Sequence, residues 1–443
     1  MPALASISDV LRHGRAMQLL SNLGWQTGAR VLNLLVGVVA GGLVARHLTE
    51  GLSQYREAQF YVSLATPLTV IISNNVIMRR LIGQEDEGRV LGTASWLIAA
   101  CGAFFFSVIL LLSFTLAHSL QERLLYIVSA FSLLAWWPIP CGNALEAHLH
   151  GRESALSNSA GSLSMRCWEI LCATAGVGMV WFCASVPVGT MVTMGMLALF
   201  YRRVRGRVAS RWQWDGRLAL ALLRESWPLV LGGLASAALF RLNLVLLRHW
   251  AGDAEASYYS AALDLPLSAQ MVAGIMLTVF FPGLTHLLTH NPALAWRRLE
   301  QFSRACAALG WAAALVLALG APWWTQWIYG SQFAPTAGVM AVIAWMLPAL
   351  FLAQGRGAWL LHSRRTHIEL GYLICGIVID VILAWLLVPR YGAVGAAWSL
   401  VGAYAFTWVL SSFLHPDTRR IGALQLRALL WPVPSLRGLT HSD

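Results

Sequence analysis

The sequence contains no lysine, so all 31 of its basic residues are arginine. A phosphate-binding P-loop requires a lysine, and this absence argues against ATP hydrolysis by the chain. The seven cysteines form no C-x-x-C pair, and neither a G-x-S-x-G nor an H-E-x-x-H motif occurs. Glu146, His148 and His150 resemble a metal cluster in composition alone. We therefore expect no catalytic residue, no metal site and no cofactor.

Charged residues are also scarce. They make up 12% of the chain, against roughly a quarter in ordinary soluble domains. Apolar residues make up 58%, and residues 90–121, 170–201 and 305–355 contain no charged side chain at all. About 20 apolar residues are enough to cross the hydrocarbon core of a bilayer. The pattern predicts an all-α polytopic membrane protein with about twelve transmembrane helices, near 18–45, 56–78, 91–117, 123–145, 161–181, 184–203, 226–248, 258–284, 304–325, 335–361, 368–388 and 391–413.

The arginines indicate how the chain is oriented. Of the 31, 23 fall in or beside segments predicted to be cytoplasmic, five in external segments and three well inside the spans. Basic residues concentrate on the cytoplasmic side of membrane proteins, so we predict that both termini are cytoplasmic. The net charge of +11 is distributed over loops between spans, which argues against nucleic acid as a partner.

The chain divides near its middle. The longest cytoplasmic connection, near 204–225, carries the densest arginines and separates two sets of six spans, residues 1–205 and 206–443. A faint repeat supports the division, because L-V-A-R-H at 43–47 ends the first span and V-L-L-R-H at 245–249 ends the seventh. Two six-helix lobes of equal orientation around a central cavity are typical of secondary transporters. External connections are short, which argues against a membrane enzyme with catalytic external loops.

Three arginines are predicted deep inside spans, where a charge costs about 2.5–3.5 kcal/mol on insertion scales. Arg30 lies near the middle of the first span, and Gln26 and Asn33 lie one turn to either side of it on the same face. Arg241 lies near the middle of the seventh span, and Arg356 lies nearer the cytoplasmic end of the tenth. These five residues are candidates for binding an anionic substrate, since a guanidinium fork suits diphosphate oxygens. Interhelical pairing and, for Arg356, snorkelling are the alternatives.

Two embedded carboxylates are candidates for coupling transport to an ion. Asp380 lies in the middle of the eleventh span and Asp264 lies two turns into the eighth. Each is either a carrier of a proton or cation, or the partner of an arginine. Arg166 and Glu169 are three residues apart on one helix, and we expect them to neutralise each other.

Several stretches resemble the polysaccharide-unit flippases of the multidrug/oligosaccharidyl-lipid/polysaccharide exporter superfamily, the Wzx type. V-P-R-Y-G-A-V-G-A-A at 388–397 resembles the opening of that family's last helix, and Y-G-S-Q-F at 329–333 resembles its external turn. A-S-Y-Y-S-A-A at 256–262 and F-P at 281–282 resemble its eighth helix. The likeness covers most of 226–413, whereas G-L-S-Q-Y at 51–55 departs from the family's usual glycine before tyrosine.

The resemblance implies a function and a location. Such proteins move an undecaprenyl-diphosphate-linked oligosaccharide across the bacterial inner membrane for the synthesis of surface polysaccharide, O-antigen, lipopolysaccharide or exopolysaccharide. The implied partners are this lipid-linked oligosaccharide and membrane lipids, with a polysaccharide polymerase and chain-length machinery as further candidates. A small-molecule or multidrug antiporter of the same superfamily, and a membrane-bound polymerase or glycosyltransferase, are the alternatives.

Overall fold

The computed structural model describes residue 28 and residues 32–83, 86–117, 119–148, 150–205, 212–363 and 365–432. Within these ranges the chain forms helices, turns and short connections, and contains no β-strand. The predicted all-α class is therefore confirmed. The helices are α1 Leu32–Leu48, α2 Leu52–Thr69, α3 Asn74–Ile82, α4 Glu87–Leu116, α5 Leu120–Leu134, α6 Ile139–Ala147, α7 Gly151–Ala175, α8 Met179–Cys183, α9 Ser185–Arg205, α10 Gly216–Ala251, α11 Asp253–His290, α12 Pro292–Leu319, α13 Ala321–Tyr329, α14 Thr336–Ile343, α15 Leu347–His362, α16 Thr366–Trp408 and α17 Pro416–Leu430.

These helices make twelve passes. Eight helical stretches in the described part are long and apolar enough to cross a membrane, and α1 is a shorter apolar helix. The helices α7 and α11 add two passes, and α16 supplies two because it bends sharply in its middle. Large apolar side chains such as Leu111 and Trp385 are exposed on the outer faces of the bundle. Such apolar outer faces are stable when they contact lipid.

The second and fourth passes are broken helices. The second pass leaves the helical conformation between α2 and α3, just after Pro67, and the fourth breaks between α5 and α6 at Pro138. Pro138 removes a backbone donor and disturbs the turn before it, which explains the break of the fourth pass. Pro67 lies inside α2, two residues before the helix ends, so the break of the second pass follows this proline. The two short helices that follow are tied together where the Nδ2 atom of Asn143 donates to the Oδ1 atom of Asn74 at 3.2 Å. The hydropathy pattern predicts each of these passes as a single helix, near 56–78 and 123–145, and the two breaks correct that prediction.

The bend in α16 is centred on Gly392, whose φ of 55° and ψ of −132° are not helical. The backbone N–H of Ala393 donates to the Oε2 atom of Glu255 at 2.7 Å. The carboxylate thus accepts from a backbone N–H at the start of the twelfth pass that has no partner within its own helix. A Cβ atom on residue 392 would lie 2.5 Å from the same oxygen. Both the positive φ and the close approach therefore require glycine.

The passes pack into two groups, which we call the N-terminal half (α1–α9) and the C-terminal half (α10–α17). A large cluster of buried apolar side chains lies inside the C-terminal half, around Leu247, Tyr259 and Phe351. Another lies mostly inside the N-terminal half, around Tyr55 and Leu133. The helix α17, within the predicted C-terminal tail, packs against α12 through Ala428 and lies beyond the last pass.

Candidate functional site

A cavity of about 410 Å³ lies between the two halves. The N-terminal half contributes side chains from α2, α7 and α9, and the C-terminal half contributes side chains from α10 and α11. The lining residues are Gln59, Val62, Ser63, Thr66, Met165, Val186, Ala237, Phe240, Arg241, Leu267 and Gln270. An apolar wall with a few polar groups is the usual composition of a small-molecule site.

Among the described residues of this lining, Arg241 is the only charged one. Within the described part of the chain its guanidinium has no hydrogen bond and no carboxylate at ion-pair distance. The charges of Arg56 and Arg166 lie close enough to repel it, and the carboxylate of Asp264 lies close enough to attract it. The five donors of the guanidinium are therefore available to a ligand in the cavity.

Two ion pairs stand beside the cavity. Arg56 on α2 donates to Asp264 on α11 at 2.7 Å, which joins the two halves. Arg166 donates to Glu169 at 2.9 Å on α7, as the spacing of the two residues predicts. Together with Arg241, these side chains hold three positive and two negative charges. The centre of the molecule therefore carries an excess positive charge.

The helix α1 presents one face to this group. A Cβ atom on Gly37 would lie 3.6 Å from the Nε atom of Arg166, and one on Gly41 would lie 3.3 Å from the Oδ2 atom of Asp264. Asn33 lies one turn before Gly37 on the same face, and its Oδ1 atom is buried without a hydrogen bond in the described part. Arg30 and Gln26 lie outside the described residues, and their roles stay predictions.

An ionic network joins the halves at the end of the bundle where α10 meets α11, which is predicted to be external and is called the outer end. Arg248 on α10 donates to Glu57 of α2, to Glu122 of α5 at 2.6 Å and to Asp253 at 2.6 Å. Burial raises the pKa of Asp253, but the hydrogen bond and charge of Arg248 outweigh that effect and hold the pKa below its ordinary value. The hydroxyl of Ser53 also donates to Asp253 at 3.0 Å. These contacts close the outer end.

A second arginine closes the outer end from the other side. Arg46, at the end of α1, donates to the carbonyl oxygens of Trp327 and Ile328, the latter at 2.8 Å. Gln332 donates back to the carbonyl oxygen of Arg46 at 3.0 Å. Arg46 and Arg248 occupy the same position in the faint repeat of the sequence. Each therefore reaches from its own half into the other.

Comparison with solved structures identifies the architecture. The lipid II flippase MurJ in an inward closed conformation is 10% identical, with a TM-score of 0.66 over 95% of this chain and 93% of that chain. An inward-facing multidrug resistance MATE family transporter of the MOP superfamily is 16% identical, with a TM-score of 0.66 over 90% of this chain and 96% of that one. A MOP superfamily transporter from Pyrococcus furiosus is 14% identical, with a TM-score of 0.58 over 92% of each chain.

The chain has the fold of these transporters. Its twelve passes and its cavity between two halves are the features of that fold. No protein-family model matches the chain, and no curated protein matches it by sequence.

In this transporter fold Asp380 lies inside the C-terminal half rather than at the cavity. Its side chain is fully buried, and its Oδ1 atom accepts a hydrogen bond from Asn243 of α10 at 2.8 Å. Within the described residues its Oδ2 atom and the hydroxyls of nearby Tyr259 and Tyr404 have no partner. These groups form a polar cluster within an otherwise apolar core.

Arg356 also lies inside the C-terminal half, at 0% exposure. It donates to the hydroxyls of Ser411 and Ser412 at 3.0 Å each and to Glu369 at 3.2 Å. The rings of Tyr372 and Trp408 cover its guanidinium. Arg356 does not belong to the cavity lining, and its two terminal nitrogens donate to partners within the C-terminal half, so the structure does not bring it together with Arg241.

The structure adds residues that the sequence analysis did not select. Arg56 was counted among external arginines, because the second pass was expected to begin at residue 56. It begins four residues earlier, at Leu52, which places Arg56 inside the helix. Gln59, one turn further along, faces the cavity. A heptad or helical-wheel treatment of 52–69 would have grouped Arg56, Gln59 and Ser63 on one face.

Proposed function

We propose that this chain moves an undecaprenyl-diphosphate-linked oligosaccharide across the bacterial inner membrane, with both termini in the cytoplasm. The observation that carries the proposal is Arg241, an arginine without a partner in the described part that faces a cavity between two halves. An unpaired charge inside a membrane protein is costly and marks a pathway for substrate or ions. A diphosphate offers paired oxygens that match the guanidinium fork.

The charge of the cavity favours a lipid-linked anion over a cationic drug. The carboxylates beside the cavity, Asp264 and Glu169, are already paired with Arg56 and Arg166. A cationic ligand would meet the free charge of Arg241 and be repelled. MurJ, which has the same fold, is a lipid II flippase. These two points support the flippase over the small-molecule antiporter.

Within this proposal the diphosphate binds Arg241, and Asn33 of α1 is a further contact. Arg30 and Gln26 are contacts predicted from the sequence alone. Two ion pairs hold the helices around the diphosphate in place, Arg56 with Asp264 and Arg166 with Glu169. Arg356 has no place in this site, because it is buried inside the C-terminal half and donates there to Ser411, Ser412 and Glu369. Binding energy then comes from charge-assisted hydrogen bonds in a space with little water.

The proposal is tested by reconstituting the purified protein into liposomes. A fluorescent undecaprenyl-diphosphate-linked N-acetylglucosamine is placed in both leaflets, and a membrane-impermeant quencher reports the fraction in the outer leaflet over time. We expect the protein to make the inner pool accessible, whereas protein-free liposomes leave it protected. A protected inner pool with correctly inserted protein would exclude the flippase function. Accumulation of a fluorescent organic cation in the same vesicles would favour the antiporter instead.

We also propose that Asp380 couples transport to a cation or proton. The Asp380→Asn variant keeps the shape and the hydrogen bond to Asn243 but cannot carry a charge. We expect the rate driven by an imposed sodium or proton gradient to fall about tenfold, an effect of about 1.4 kcal/mol on the barrier. Exchange without a gradient should persist. The measurement is the liposome assay with each gradient imposed in turn.

The matched control is Asp417→Asn, since Asp417 is a half-exposed carboxylate of α17 that pairs with Arg365. This variant should respond to a gradient like the wild type. An Asp380→Asn protein with the full gradient response would make the buried carboxylate purely structural. Asp264 offers a weaker candidate for coupling, because its carboxylate is already bound by Arg56.

A further inference from the structure

A second cavity, of about 320 Å³, lies entirely within the N-terminal half. Its size is within the usual range of about 300–1,000 Å³ for small-molecule sites. It lies near the end of the bundle where α6 ends and α7 begins. The lining residues are Asn74, Trp136, Ile139, Gly142, Asn143, Glu146, Ser154, Asn158, Gly161, Ser162, Met165, Val186, Gly189, Thr190, Thr193, Met194 and Leu197. We call this space the N-half pocket.

The two broken passes build the N-half pocket. Asn74 is the first residue of α3, directly after the break in the second pass, and Trp136 lies in the break of the fourth. Discontinuous helices are where transporters commonly place binding groups, since such backbone is stable only beside a cavity or inside protein. The two breaks thus help to form a cavity in this fold.

The opposite wall is made by a close crossing of α7 and α9. A Cβ atom on Gly161 would lie 1.7 Å from the Oγ1 atom of Thr193, and one on Gly189 would lie 2.9 Å from the carbonyl oxygen of Gly161. The hydroxyl of Thr193 donates to the carbonyl of Gly189 at 3.0 Å, and that of Thr190 donates to Val186 at 2.9 Å. Both hydroxyl oxygens keep lone pairs available to a ligand.

The polar groups of the N-half pocket are almost all neutral. Asn158 has no side-chain hydrogen bond in the described part, and Asn143 uses only its Nδ2 atom, toward Asn74. Among the described residues Glu146 is the single charged residue of the lining, and it accepts from Ser154 at 2.8 Å. No arginine of the described part lines the pocket. Such a set of amides, hydroxyls and one carboxylate suits the hydroxyl groups of a sugar and repels a phosphate.

Trp136 adds an aromatic ring to the polar groups of the N-half pocket. Its ring is half-buried in the pocket wall and offers a flat apolar surface. The axial C–H groups of a pyranose form an equally flat apolar face, and they pack against an aromatic ring in this arrangement. A tryptophan among amides and hydroxyls therefore favours a saccharide over a purely polar solute.

The N-half pocket adjoins the cavity that contains Arg241. Met165 and Val186 line both spaces, so these two side chains form part of the wall between them. Methionine is flexible and adapts to neighbouring groups at low cost. A ligand with an anionic group at Arg241 can therefore extend a neutral polar group past Met165 into the N-half pocket.

We infer that the N-half pocket binds the saccharide that is attached to the diphosphate of the transported lipid. This inference rests on the proposed function and adds the place where the sugar is recognised. Arg241 holds the diphosphate, Trp136 stacks on the first sugar ring, and Asn158 and Asn143 bond its hydroxyls. The identity of the sugar is then read in the N-terminal half, away from the residues that bind the lipid diphosphate.

The test uses purified full-length protein in detergent micelles and three probes. The probes are undecaprenyl diphosphate, undecaprenyl-diphosphate-linked N-acetylglucosamine and free N-acetylglucosamine, and binding is measured by native mass spectrometry. The wild-type protein should bind the sugar-bearing lipid more tightly than the bare one and should bind the free sugar weakly. Asn158→Ala should weaken only the sugar-bearing probe, by roughly fivefold, as expected for one lost hydrogen bond.

Asn75→Ala is the matched control, because Asn75 is an exposed asparagine next to Asn74 that does not line the pocket. It should bind all probes like the wild type, whereas Trp136→Ala should again weaken only the sugar-bearing lipid. If Asn158→Ala and Trp136→Ala both bind that probe like the wild type, the saccharide site is wrong and the flippase proposal stands. If Arg241→Ala binds both lipids like the wild type, the proposed diphosphate site fails instead. Tight binding of the free sugar, unaffected by Arg241→Ala, would make the pocket a site for soluble saccharides and overturn the inference.

Discussion

Replacing Arg241 by alanine is expected to reduce movement of the lipid-linked probe in liposomes by at least roughly a hundredfold. Each charge-assisted hydrogen bond contributes about 1.5–3 kcal/mol, and a diphosphate held by two of them loses both. The variant should still insert and fold, because Arg241 makes no hydrogen bond within the described part of the protein. Removing a buried charge without a partner also removes its desolvation cost.

Two further variants define the contribution of Arg241. Arg241→Lys should keep part of the activity, since the charge remains but the planar fork is lost. Arg217→Ala removes the same charge from an exposed position on the same helix and should transport like the wild type. Full activity in Arg241→Ala would remove this residue from the mechanism and leave the positive charge of the cavity without a function.

Replacing Arg248 by alanine is expected to open the outer end. The change leaves the buried carboxylate of Glu57 without this guanidinium and removes one of the partners of Glu122, at a cost of about 3–5 kcal/mol to the closed arrangement. Such a cost shifts the balance between closed and open states by more than roughly a hundredfold. A cysteine placed at Gln59, in the cavity lining, reports the change through its labelling by a membrane-impermeant maleimide added to the outside of spheroplasts.

The control for this experiment is Arg390→Ala, since Arg390 is an exposed arginine that the sequence places at the same end of the bundle. Labelling of the cysteine should rise in Arg248→Ala and stay at the wild-type level in Arg390→Ala. The parent protein without the new cysteine gives the background from native thiols. Equal labelling in all variants would show that the Arg248 network does not hold the outer end closed.

The class and number of passes could be predicted from the sequence, because charge-free runs and arginine placement follow from the properties of the bilayer. The breaks after Pro67 and at Pro138 could not be located in the same way. Apolar residues occur on both sides of each break, and a proline inside a membrane helix does not always interrupt it. The bend at Gly392 coincides with the predicted boundary between the spans at 368–388 and 391–413, where Pro389 and Arg390 interrupt the apolar sequence. Its contact with Glu255, far away along the chain, could not be predicted in this way.

The candidate site could be predicted in part. Depth along a helix identifies Arg241 and Arg356 as embedded charges, but it cannot tell a residue facing a cavity from one facing its own half. The partners of Arg356 include Ser411 and Ser412, more than fifty residues away along the chain, and no local pattern connects them. No local sequence pattern connects Arg56 with Asp264 either. The repeated arginine of 43–47 and 245–249 was the better signal, since both copies close the outer end.

The geometry at Gly392 has a consequence for the gene. Every missense change of a glycine codon adds at least a Cβ atom, and at this position that atom would meet the carboxylate of Glu255 at 2.5 Å. The positive φ strains any side chain at this position whatever residue stands at 255. Codon 392 therefore has no missense neighbour that keeps the bend unstrained. In an alignment of homologues, glycine should be kept at this position even where residue 255 differs.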